Sequence, residues 1–80
     1  MSIENTESFV TVMAEGSRVA NGTLAVGTTR EFTATNQFCV RTDSANAVHL
    51  VLDGLDLGTL DSGSWIIKSG LAPVRAARPC

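Results

Sequence analysis

The chain has no tyrosine, a single tryptophan and a single histidine among its 80 residues. So few aromatic rings leave little material for a stacking platform that would take sugars or single-stranded nucleic acid. Its two cysteines, Cys39 and Cys80, lack the paired spacing of a zinc site, and no second histidine is available to help His49. Basic residues are outnumbered, six against eight acidic ones, for a net charge of −2 and a pI of about 5.1. That balance lacks the basic footprint of a nucleic-acid or anionic-membrane binder. No apolar run approaches the roughly 20 residues of a membrane-spanning helix. The longest, Val48 to Leu52, is of strand length and contains His49. Met1 to Ser8 is polar, carries Glu4 and Glu7, and has neither the basic start nor the apolar core of a signal peptide. The chain as it stands therefore reads as soluble and untargeted. An address for a compartment outside the cytoplasm would have to lie on a longer parent chain.

What is present is a folded, strand-forming composition. An apolar fraction of 44% suits a globular chain rather than a disordered one. Eighty residues make one domain. A chain of this size buries roughly 60% of its unfolded surface, so its stability is expected to be marginal. The β-branched run Phe9 to Met13 ends at Glu15-Gly16. Arg18 to Ala20 leads through Asn21-Gly22, a turn or bulge signal, to Thr23 to Val26. Thr29 to Thr35 alternates, with Phe32 and Ala34 on one face. Phe38 to Arg41, Val48 to Leu52, Leu55 to Thr59 and Trp65 to Lys68 follow. About seven short strands, with turn signals every eight to twelve residues or so, predict an all-β fold, a small antiparallel β-sandwich that is Ig-like in outline. Asp53-Gly54 is the strongest hairpin signal, because a type I′ turn needs positive φ at both central positions. Alternation places Val10, Val12, Leu24, Phe32, Ala34, Val40, Leu50, Leu52, Ile66 and one face of Trp65 inside. Residues 1–7 are expected to fray, 8–71 to form the single domain, and 72–80, with Pro73 and Pro79, to be a flexible tail.

Chemistry is sparse. His49 shares a strand face with Val51 and has no partner at catalytic or ligand spacing, which makes it a sheet-face histidine. Asp53, Asp56 and Asp61 cluster but lack the alternating oxygen ligands of a calcium loop; Asp53 serves a turn and Asp61 a loop. Ser62-Gly63-Ser64 lacks the glycine spacing of a nucleophile elbow. Gly54, Gly58 and Gly63 precede no helix that could present its N-terminus to phosphate. Asn21-Gly22-Thr23 fits a glycosylation acceptor and is better explained as a turn. Cys39 reads as a small buried hydrophobe, with a bridge to Cys80 as the alternative. No enzymatic centre, cofactor site or metal site is expected.

Several short motifs resemble those of one bacterial domain. Phe9-Val10-Thr11-Val12 stands for its first strand, Gly22-Thr23-Leu24-Ala25-Val26-Gly27 for the next element, and Glu31-Phe32-Thr33-Ala34 follows in order. Val48 to Gly54 matches an alternating strand with its turn, and Leu57-Gly58-Thr59-Leu60 a glycine-leucine element. Together these resemble the C-terminal extracytoplasmic domain of RodZ, the bacterial cell-shape protein, over roughly Phe9 to Leu71. The chain departs from the pattern at Phe9, where tryptophan is usual, at Asp43-Ser44, where Gly-Asn is usual, and at Asp61 in place of glycine. The resemblance implies a non-enzymatic interaction module outside the cytoplasmic membrane. Its parent would be a membrane-anchored protein linking the cytoskeleton to wall elongation, with protein partners of the envelope. The domain in isolation is expected to be a monomer that binds no nucleic acid. The edge strands and the Gly54 to Gly63 stretch are the expected working surface, with Leu55, Leu57, Leu60 and Trp65 as partner-binding residues. The rival readings are an Ig-like carbohydrate-binding or adhesin module, marked by an aromatic patch at Trp65, and a small structural subunit such as that of a phage particle.

Overall fold

Two antiparallel sheets face one another across a single apolar core, in a computed structural model that describes residues 1–32, 36–52, 54–68 and 72–78. The strands among the described residues are β1 (Ser2–Ile3), β2 (Ser8–Ala14), β3 (Ser17–Leu24), β4 (Gln37–Thr42), β5 (Val48–Leu52), β6 (Leu55–Thr59), β7 (Gly63–Lys68) and β8 (Val74–Arg75). One sheet has the order β1-β5-β6 and the other β3-β2-β4-β7-β8. No described residue is helical. The expected all-β class and antiparallel pairing are present.

The β2–β3 hairpin closes through Glu15 and Gly16, flanked by the pair Ala14 and Ser17. Both turn residues have positive φ, 53° and 84°, so the turn is of the I′ kind whose twist matches the strands it joins. Asn21-Gly22 does not turn the chain. It lies inside β3, where Asn21 accepts a hydrogen bond from the Thr11 hydroxyl at 2.9 Å. The register shift falls earlier, between Val12 and Met13 on β2. The predicted strand at Thr29 to Thr35 is represented by one bridge, Thr29 to Ser2, and Thr33, Ala34 and Thr35 lie outside the described residues.

The core draws on both sheets. Val10, Val12, Val40 and Ile67 come from the five-stranded sheet, and Ile3, Val48 and Leu50 from the other, joined by Leu60 after β6. Leu24, Phe32, Leu52 and Trp65 pack against it half-buried. Ile66, expected inside, is on the opposite face from Ile67. Pairing of Val40 with Trp65 and Phe38 with Ile67 sets the β7 register, and side chains alternate from there. Inside the core, Ser8 and Thr42 satisfy one another through a 2.7 Å hydroxyl hydrogen bond.

Both chain ends differ from expectation. The segment read as frayed contains β1, and Ile3 is 2% exposed. Ile3 donates its N–H to Thr28 O and accepts from Gly27 N, while β5 pairs with β1 on its other side. The proline-containing tail contributes β8, which pairs Arg75 with Trp65 and Val74 with Ile66. Composition describes the average polarity of these stretches; one buried isoleucine and one well-placed arginine decide where they lie. Cys39 is half-buried and disulfide-bonded rather than a free apolar side chain. Cys80 lies outside the described residues.

Candidate functional site

The β5–β6 hairpin carries most of the candidate surface. Leu52 pairs with Leu55 across a two-residue turn containing Gly54, whose φ is 78°. Asp53, the other turn residue, lies outside the described residues. The predicted partner-binding residues separate here. Leu55 is 60% exposed, and Val51 on the adjoining strand is 52% exposed. Leu57 is half-buried against the core. Leu60 is a core residue, 3% exposed, and its backbone is tied to Val48 and Asn46. Leu60 therefore offers no side chain to a partner, because the strand ends there and the chain turns inward.

Trp65 is held at the far side of the core. Its indole N–H donates to Asp61 O at 3.0 Å, and the Arg75 guanidinium lies 4.6 Å from the ring centroid. Arg75 also donates to Ser62 O at 3.0 Å and sits 3.5 Å from the Asp61 carboxylate. Gly63 gives this arginine room, since a Cβ there would come within 2.6 Å of Nη1. One side of the indole packs on the core and a cation lies over the ring, the arrangement of a structural anchor rather than an open stacking surface.

A cluster that spacing alone did not reveal lies on the outer side of the three-stranded sheet. His49 Nδ1 is 3.0 Å from both oxygens of Glu4, and Nε2 is 2.6 Å from Asp56 Oδ1. Glu4 follows β1, and its own N–H donates to Ala47 O at 2.7 Å. Asn5, next along, adopts positive φ (67°) and donates to Asn46 O, which fixes the direction in which Glu4 leaves the strand. Asp56 also accepts the Gly58 N–H at 2.7 Å. The Glu4 carboxylate, then that of Asp56, holds the His49 pKa above its ordinary value. The Gly58 N–H, followed by His49, holds Asp56 below the usual carboxylate range. With a carboxylate on each ring nitrogen, His49 has no free nitrogen to serve as a general base. The two carboxylates approach opposite sides of the ring, so no single ion could be bound by the ring and both of them together. No group of three or more His, Cys, Asp or Glu suited to a metal ion occurs among the described residues. The sequence held only a partial signal: the hairpin register brings Asp56 near His49, but Glu4 is 45 residues away.

Between the sheets opens a cleft of about 430 Å³. Val12, Val40, Leu50 and Ile67 form its floor, and Ser2 and Arg30 stand among the residues at its border. Phe32 meets Phe38 edge-on at its side, with centroids 6.4 Å apart.

The model of the RodZ C-terminal domain family matches residues 5–64, which takes in β2 to β6 and the first residues of β7. The chain belongs to the RodZ C-terminal domain family. The match confirms the resemblance read from the glycine, leucine and valine motifs. It covers both the Val51–Leu55 surface and two of the three members of the histidine cluster. No curated protein and no solved structure matches the chain. No helix among the described residues is long and apolar enough to cross a membrane.

Proposed function

We propose that this RodZ-type domain is a non-enzymatic docking module, displayed outside the cytoplasmic membrane by a longer membrane-anchored chain. In this reading the parent protein couples the cytoskeleton to wall elongation, and the domain engages a protein of the cell envelope. Family membership supports the cell-shape role. The observation that carries the docking surface is Val51 and Leu55, two large apolar side chains more than half exposed at one hairpin end; Val51, opposite Asp56, stands on the outer face and Leu55, opposite Leu52, on the other, so a partner grips the hairpin end from both sides. Side-chain docking suits this hairpin better than strand addition at Gly58, because the Asp56 carboxylate already occupies the Gly58 N–H. Trp65, covered by Arg75, gives no support to the carbohydrate-binding alternative.

The test is a Val51→Lys, Leu55→Lys pair placed in the parent protein. Exposed substitutions of this kind change stability by no more than about 0.5 kcal/mol each. The expected outcome is normal protein level, loss of the envelope partner on cross-linking, and loss of normal cell shape. Retained shape together with retained cross-linking at normal protein level would refute the hairpin as the docking surface.

A further inference from the structure

We propose that Glu4, His49 and Asp56 form a proton-operated clasp that fastens β1, and the chain beside it, to the β5–β6 hairpin. The geometry assigns each member a different part. Asp56 is anchored independently of the histidine by the Gly58 N–H. Among the described residues Glu4 has no second donor of that kind; both its oxygens face Nδ1 at the same 3.0 Å. The groups that face His49 are Ser2 from β1, Thr59 and Asp56 from β6, and Glu4 from the residues after β1. Among the described residues, no arginine or lysine pairs with Glu4 or Asp56.

A doubly protonated imidazole donates from both nitrogens and satisfies both carboxylates. A neutral one has a single N–H. The shorter contact and the better-anchored carboxylate both favour keeping that proton on Nε2, toward Asp56. Nδ1 then presents a lone pair to Glu4, two electron-rich groups in contact, and Glu4 is the member released. The segment freed in this way is short. β1 pairs with β5 over two residues, is held on its other side through Ile3 to Gly27 and Thr28, and lies ahead of residues 5–64, the stretch the family model matches. Ser2 borders the cleft between the sheets, so loosening β1 also widens that opening. The clasp makes attachment of the entering chain sensitive to the acidity outside the fold.

His49 is the only histidine, so its ring protons can be followed without ambiguity by NMR. The experiment compares its titration in the unaltered chain and in Glu4→Gln, alongside amide exchange protection at Ile3, Glu4, Val12 and Val40. The expected result is a midpoint above 6.5 that falls in Glu4→Gln. Protection at Ile3 and Glu4 should drop across the same pH range and stay well below that of Val12 and Val40, which exchange only through global unfolding. For each full pH unit separating the two midpoints, the Glu4 amide should lose about tenfold in protection. The proposal is overturned if Glu4→Gln leaves the midpoint in place, or if Ile3 and Glu4 keep the same protection on both sides of it. It is equally overturned if Ile3 and Glu4 exchange no faster than Val12 and Val40, which would mean that β1 opens only by global unfolding. Glu4 is half-buried and stands outside the core cluster, so the near-isosteric substitution leaves the core intact.

Discussion

Leu55 and Leu60 show how much a few positions along one chain can change what a residue does. Both stand in the glycine-punctuated stretch after the hairpin turn, yet one faces solvent and the other closes the core. Leu60→Ala is expected to cost about 2–5 kcal/mol, since it leaves a cavity beside Val48. Leu55→Ala should stay within about 0.5 kcal/mol. Urea unfolding followed by Trp65 emission separates them, and equal losses would contradict the assigned faces. The sequence grouped these leucines because composition alone does not say where a strand stops. His49 illustrates the opposite case. Its strand and face were readable from alternation, but its function as a bridge depends on Glu4, which the fold brings from the other end of the chain. Local spacing carries no information about such a pair.

Among the elements, the central strands were the most legible. β2, β4 and β5 contain β-branched and apolar runs that satisfy both local preference and burial, so pattern and fold agree. The edge strands β3 and β1, and β7 next to the edge, were harder to read. β3 absorbs Asn-Gly without turning, because the partner strand supplies the Thr11 hydroxyl, which donates to Asn21. β7 turns Ile67 rather than Ile66 inward, a choice set by its neighbour and not by its own residues. β1 has only two residues and no pattern at all, yet it places Ile3 among the most buried side chains. Ile3→Ala is therefore expected to lose about 2–5 kcal/mol in chemical unfolding, as a core truncation does. A change below about 0.5 kcal/mol, the range of exposed sites, would return Met1 to Glu7 to the status of a frayed end.

For the molecule as a whole, the histidine cluster shapes the dependence of stability on pH. The raised His49 pKa means that its contribution is complete below 6.5 and disappears as pH climbs through the higher folded value. The lowered Asp56 pKa gives a contribution present above 3.8 and lost as pH falls through the depressed value. The side chains are partly exposed, with His49 at 26%, so salt should flatten both limbs. Thermal unfolding between pH 4 and 9 should thus show a maximum on the acidic side of neutrality, and His49→Gln should remove the fall on the alkaline limb. An unchanged alkaline limb in that variant would assign the fall to other groups. The two ends of the chain have a further consequence at this scale. β1 seals one sheet and β8 extends the other, and both lie outside residues 5–64, the stretch the family model matches. A fragment cut to residues 5–64 would keep Val40 and Val48 while discarding Ile3 and Ile67, two of the side chains that enclose them. The stretch that the family model matches is therefore smaller than the core this fold closes, and a fragment cut at those limits would bare Val40 and Val48 and be prone to clump with its own kind.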